Sequence, residues 1–89
     1  MLLALDVGNT NIVFAVFEGD ALKLSLRCRT DNASSADEYA AFVTPLLQAH
    51  GLSLKDFEDV IVSSVVPDAN RHIAEFSERY IQKEPYFIS

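Results

Sequence analysis

The sequence predicts an α/β fold of element order βββαβαβ, a mixed sheet with an antiparallel meander on one side. Three observations carry this. The first thirty residues hold three β-like runs punctuated by turn residues. A capped amphipathic segment follows from Ser35. An apolar β-branched run, Val60-Ile61-Val62, then precedes a second amphipathic stripe.

In chain order, Leu2 to Val7 and Asn11 to Phe17 are apolar runs joined by a tight polar turn, which reads as a hairpin, and Glu18-Gly19-Asp20 supplies a second turn. Leu22, Leu24, Leu26 and Cys28 alternate with Lys23, Ser25, Arg27 and Arg29, the period of a strand with one wet face. Ser35-Ala36-Asp37-Glu38 is a capping-box pattern opening a helix, and Tyr39, Phe42, Val43, Leu46 and Leu47 recur at helical spacing before Gly51. Pro45 removes a helix hydrogen bond, so a kink or break is expected near Val43 or Thr44. The run from Asp59 to Val66 fits a strand covered on both faces. Pro67 suits a first helical turn, and Ala69, Ile73, Phe76 and Tyr80 form the stripe of a second helix. Pro85 to Ser89 begins a fifth strand. Right-handed crossovers place the fourth and fifth strands beside the first.

Composition bounds the function. With 89 residues there is room for one small domain, and a hydrophobic fraction of 49% with 22% charged residues is that of a globular chain. A formal net charge of −6 and only seven scattered Lys and Arg argue against a nucleic-acid partner. The apolar start is short, lacks a basic leader and is interrupted at Asp6, which argues against a signal peptide or membrane anchor. A single cysteine, Cys28, excludes an internal disulfide and agrees with a cytoplasmic location; its simplest role is a small buried strand residue.

The chemistry concentrates in Asp6-Val7-Gly8-Asn9-Thr10-Asn11. An acid at the end of an apolar strand is expected to be costly to desolvate without compensation. Gly8 lets the backbone approach closely, and the amides around Asn9, Thr10 and Asn11 can line one concavity that suits phosphate oxygens. A hydrated Mg²⁺ on Asp6 would satisfy the carboxylate and neutralise the phosphates. The loop has no Walker A lysine, so neutralisation would fall largely on the metal. A plain two-residue Gly8-Asn9 hairpin turn is the competing account, with Asp6 accepting amide hydrogen bonds inside it.

This loop, followed by a strand, a turn and a third strand, resembles the first phosphate motif of the actin, sugar-kinase and heat-shock-protein ATPase superfamily. Its Asp-x-Gly-Asn-Thr form, together with Val62-Ser63-Ser64-Val65-Val66-Pro67, is similar to type III pantothenate kinase. The resemblance implies a ribonuclease H-like (actin-like ATPase) half-domain and ATP-dependent phosphorylation of pantothenate, the opening step of coenzyme A synthesis. It implies Mg²⁺ and a monovalent cation, K⁺ or NH₄⁺, and a cytoplasmic homodimer. Asp6, Val7, Gly8, Asn9, Thr10, Asn11, Ile12 and Val13 would then form the ATP phosphate loop, with Asp6 facing the metal. Ser63 to Pro67 would line the cleft at the carboxyl end of the fourth strand. An ordinary strand end with Pro67 starting a helix explains that second segment equally well.

Members of that family are longer, so residues 1–89 are expected to be the N-terminal part of the first actin-like domain, with the second domain absent from this chain. The Gly-x-Asp segment supplying the general base, the pantothenate clamp and the monovalent-cation ligands would lie beyond Ser89, and these residues alone are expected to be inactive. Two alternatives stay open: another kinase or phosphatase of the superfamily, and a non-catalytic homologue acting as a transcription accessory. His50 and His72 read as surface or partly packed side chains, and Glu75, Glu78 and Glu84 as a solvated helix face and its exit.

Overall fold

The computed structural model describes residues 1–88; the end of the expected fifth strand, Ser89, lies outside the described residues. Five strands, β1 (Leu2–Val7), β2 (Asn11–Glu18), β3 (Ala21–Arg29), β4 (Asp59–Ser64) and β5 (Tyr86–Ile88), form one sheet in the order β3-β2-β1-β4-β5. The β1, β2 and β3 strands are the antiparallel meander, and β4 and β5 add in parallel. This is the mixed sheet of the expected half-domain.

Both helices, α1 (Ala36–Ala49) and α2 (Pro67–Phe76), pack on the same sheet face. Two successive crossovers advancing in one direction across a sheet must place their helices on one side. Leu3, Leu5 and Val7 of β1, Ile12, Phe14 and Val16 of β2, and Val60 and Val62 of β4 point into that side, against Tyr39, Val43 and Leu47 of α1 and Ala69, Ile73 and Phe76 of α2. The opposite face carries no helix among the described residues. Ile61 is therefore only half-buried and Ser63 exposed, which corrects the expectation that β4 is covered on both faces.

A bulge decides which way β3 faces. Its hairpin with β2 closes through Gly19-Asp20, with a positive φ of 59° at Gly19 and none at Asp20, the pattern of a type II′ turn. That turn pairs Phe17 with Leu22, and a regular ladder from there would set Leu24 opposite Ala15 on the open face. The register instead shifts between Val16 and Phe17, so Leu24 meets Val16, Leu26 meets Phe14 and Cys28 meets Ile12, all on the core side. One extra residue, Lys23, flips every later side chain to the other face. Leu22, before the bulge, stays with Phe17 on the open face and is 57% exposed, so it does not share the face of Leu24, Leu26 and Cys28.

The capping box holds as expected. The Glu38 amide donates to the Ser35 hydroxyl at 3.2 Å, and the Ser35 amide to the Glu38 carboxylate at 2.9 Å. Of the expected kink or break near Val43 or Thr44, the break does not occur: helix α1 runs through Pro45 as one element. Pro45 and Ala41, whose carbonyl loses its partner, are both exposed, so that carbonyl is open to solvent and the helix tolerates the missing bond. Other features were not anticipated: a 3₁₀ turn at Leu54–Asp56 with its own Ser53–Asp56 capping box, and a π-helical turn, Ser77–Ile81, closing α2 through a left-handed Gln82.

Tyr39 makes the core sensitive to alkali. The residue is 3% exposed, and its hydroxyl has no hydrogen-bond partner among the described residues. Burial, and then the negative charge available at Cys28, Asp31 and Glu38, pushes its pKa up to about 12. In the unfolded chain the phenol ionises near 10.0. From that pH upward the unfolded state holds fewer protons, so stability that is complete below it is lost as pH rises toward about 12. The melting temperature is expected to fall steeply across this window. In Tyr39→Phe the fall should be shallower, with no loss of stability at neutral pH, because the substitution also removes an unsatisfied hydroxyl.

Candidate functional site

The loop between β1 and β2 is a tight turn, but not the one expected. The Gly8 amide donates to the Asn11 carbonyl at 2.9 Å, which centres the turn on Asn9 and Thr10 rather than on Gly8-Asn9. Neither Asn9 nor Thr10 has a positive φ, so this is not one of the primed turns that match the twist of a hairpin. Gly8 does not have a positive φ either. Its place is tight instead: a Cβ there would lie 3.3 Å from the Asn11 carbonyl oxygen, closer than ordinary van der Waals contact. A turn chosen only to reverse the chain has no need of this arrangement.

The tip is held from β3. Thr30 donates through its hydroxyl to the Gly8 carbonyl at 2.7 Å and through its amide to the Thr10 carbonyl at 2.9 Å. The amides of Asn9 and Thr10 have no backbone partner among the described residues, and both residues are exposed. Free amides at an exposed tip can receive an anion.

Asp6 lies on the open face of the sheet and is exposed, which corrects the expectation of a buried carboxylate in need of compensation. The alternation of β1 puts Leu5 and Val7 into the core and turns Asp6 the other way, where no helix among the described residues covers it. It forms no ion pair among the described residues. Pairing sets Ser63, Asp6, Val13 and Arg27 side by side in one row across β4, β1, β2 and β3. A cleft of ≈ 290 Å³ opens over this row, with Asp6, Val13, Ser63 and Ile88 in its wall.

The second sequence segment comes to the same end of the sheet. The Val65 amide donates to the Val7 carbonyl at 3.0 Å, tying the exit of β4 to the exit of β1. The Ser64 hydroxyl accepts from the Val66 amide at 3.1 Å and shapes the turn into α2, where Pro67 is the first residue. Of Ser63 to Pro67, Ser63 reaches the open-face cleft, whereas Val66 borders a second, more polar cleft of ≈ 390 Å³ together with Asn9, Arg29, Thr30 and Asn32. Ile12 is fully buried and Val13 half-buried; they anchor the loop in β2.

Sequence reasoning missed Thr30, Arg27 and Arg29. Their place follows from the register of β3, which depends on the bulge and has no signature in the alternation itself. As for metals, no group of three or more His, Cys, Asp or Glu side chains converges among the described residues. A lone, unpaired carboxylate at the end of the strand that leads into the free amides does fit a hydrated Mg²⁺, which commonly takes one or two carboxylates and completes its shell with water and phosphate. His50 caps α1, its Nδ1 lying 2.9 Å from the Leu46 carbonyl oxygen, and has no place in the site.

Comparison with known proteins bears on the whole chain. The family model for type III pantothenate kinase matches residues 2–89. Curated relatives named type III pantothenate kinase include those of Syntrophotalea carbinolica at 42% identity, Phenylobacterium zucineum at 43% and Elusimicrobium minutum at 44%. Each alignment covers 99% of this chain and 34% of the relative, so the chain spans about a third of the length of these proteins. With an Asp-x-Gly-Asn-Thr loop and a Ser-Ser-Val-Val-Pro strand exit joined at one end of a mixed sheet, and a match along nearly all its length, the chain belongs to the type III pantothenate kinase family.

Proposed function

We propose that residues 1–89 are the N-terminal part of the first actin-like domain of a kinase that transfers phosphate from ATP to pantothenate, giving 4′-phosphopantothenate for coenzyme A synthesis. The observation that carries this is the succession, at the carboxyl end of β1 beside parallel β4, of an exposed, unpaired carboxylate at Asp6 and a loop tip whose Asn9 and Thr10 amides have no partner among the described residues. Open α/β sheets take their ligands at that end.

In this reading Asp6 to Val13 form the phosphate loop. The Asn9 and Thr10 amides donate to phosphate oxygens, and Gly8 keeps the loop narrow enough for the backbone to approach them. Asp6 would hold Mg²⁺, which would supply neutralisation of the phosphate charge. Arg27 and Arg29, in no ion pair among the described residues, add positive charge that the loop itself lacks. Ser63 borders the cleft beside Asp6 and helps to define its floor. The requirement for K⁺ or NH₄⁺, the homodimer and the cytoplasmic location rest on family membership. No helix among the described residues is long and apolar enough to cross a membrane.

The test is an assay of the full-length protein that carries this chain, with ATP, Mg²⁺ and pantothenate, in the presence and absence of K⁺ or NH₄⁺. Phosphorylated pantothenate should form only with a monovalent cation present and should cease on chelation of the divalent metal. ATP hydrolysis indifferent to pantothenate, or transfer to a sugar instead, would refute this assignment.

A further inference from the structure

We infer that Thr30 is a positioning residue of the nucleotide loop, a role that rests on the reading of Asp6 to Val13 as the phosphate loop. Thr30 follows directly on β3 and makes two hydrogen bonds to the loop tip, one from its hydroxyl to the Gly8 carbonyl at 2.7 Å and one from its amide to the Thr10 carbonyl at 2.9 Å. These are carbonyls on either side of Asn9, twenty or more residues away in sequence.

The direction of these bonds matters more than their number. Every peptide bond described is trans, so each carbonyl and the next amide in the chain point opposite ways. Drawing the Gly8 and Thr10 carbonyls toward Thr30 turns the Asn9 and Asn11 amides away from it, so of the two free amides at the tip the one fixed directly is that of Asn9, and the Asn9-Thr10 peptide is held between the two anchored ones. Carbonyl oxygens repel phosphate and amides attract it, so a loop free to rotate these peptides would present a mixture of the two. Thr30 removes that freedom. The unprimed turn at Asn9-Thr10 makes the constraint necessary, because such a turn does not by itself follow the twist of its flanking strands. The bulge in β3 makes it possible: the shifted register sets Arg29 opposite Asn11 and so brings residue 30 level with residue 10.

Thr30 touches neither the reacting atoms nor, in this arrangement, the phosphates; it acts through the peptides of Gly8 and Thr10. Its hydroxyl is the separable part, since the amide bond is available to any residue but proline. Thr30→Val keeps the shape and the amide while leaving the Gly8 carbonyl unpaired, and Thr30→Ser keeps the hydroxyl and loses only a methyl group.

The experiment uses the full-length protein. ATP binding by the parent is measured first by calorimetry, and KM for ATP and for pantothenate is then determined for the parent, Thr30→Val, Thr30→Ala and Thr30→Ser. In Thr30→Val and Thr30→Ala, KM for ATP is expected to rise about tenfold, the loss of one partly buried hydrogen bond. KM for pantothenate should change less than twofold, and Thr30→Ser should restore the parent value for ATP. The alanine variant carries the test if valine prevents folding. Equal KM for ATP in all four proteins, or a serine variant as impaired as valine, overturns the positioning role alone. A parent that binds no ATP overturns this role and the phosphate-loop reading together.

Discussion

Asp6→Asn in the full-length protein is expected to leave folding intact and to remove most phosphoryl transfer. Among the described residues the side chain is exposed, lies on a sheet face that no helix covers and forms no ion pair, so nothing in this part of the fold depends on its charge. The melting temperature should therefore stay close to the parent, within the roughly 0.5 kcal/mol typical of surface substitutions. In the proposed reading, activity depends on that charge directly. Asparagine matches the carboxylate in shape but is a far weaker ligand for a hard cation, and a metal at a transferring phosphoryl group contributes several kcal/mol to the transition state. The loss should be about a hundred- to a thousandfold in kcat at saturating ATP. Raising Mg²⁺ should recover part of it, because the defect lies in holding the ion rather than in building the loop. Parent-like turnover, or an equal loss of stability and activity, would remove Asp6 from the metal-facing role.

The same residue shows what the sequence could and could not convey. Strand β1 reads as apolar on both faces, Leu3, Leu5 and Val7 on one and Leu2 and Ala4 on the other, so a carboxylate following Leu5 looked buried. Burial depends on what packs over a face, and the strand pattern does not say which elements will do so. Both helices go to one side because both crossovers advance the same way, and Asp6 points to the other. The element order and the helix caps were legible because each depends on a few neighbouring residues. Ser35 and Glu38 close their own box, and Pro67 starts its own helix.

Long-range register was not legible in that way. The alternation of Leu22 to Cys28 announces a strand, yet the bulge at Lys23 decides that Leu24 onward face the core and Leu22 does not. Nothing local to Lys23 marks it as the extra residue. The competition is between a two-residue turn at Gly19-Asp20 and burial of Leu24, Leu26 and Cys28, and the bulge satisfies both. The clamp by Thr30 is downstream of that compromise, and so it was out of reach of motif reading, whereas the loop it holds was recognisable from six consecutive residues.

Phe14→Ala is expected to produce the largest loss of stability in this part of the protein. Phe14 is fully buried at the middle of β2, with Tyr39, Phe42 and Phe76 around it at ring-centroid separations of 6.4, 5.7 and 6.4 Å. It is the point at which the meander, α1 and α2 meet. The helices cannot close on the space it leaves without moving relative to each other, so the cost should be near the usual range for such truncations, about 3 to 5 kcal/mol. Domains commonly have only about 5 to 15 kcal/mol to lose. Chemical denaturation of the full-length protein should show the first transition moving to markedly lower denaturant, and Phe14→Leu should recover more than half of the shift. Catalysis gives an independent check on the cause. Phe14 is on the core face, opposite to Asp6, and three residues beyond Asn11, so the folded fraction should retain parent-like KM for ATP at low temperature while activity disappears at a lower temperature than in the parent. A Phe14→Ala variant within about 1 kcal/mol of the parent would mean that the aromatic cluster is not what joins the two helices to the sheet.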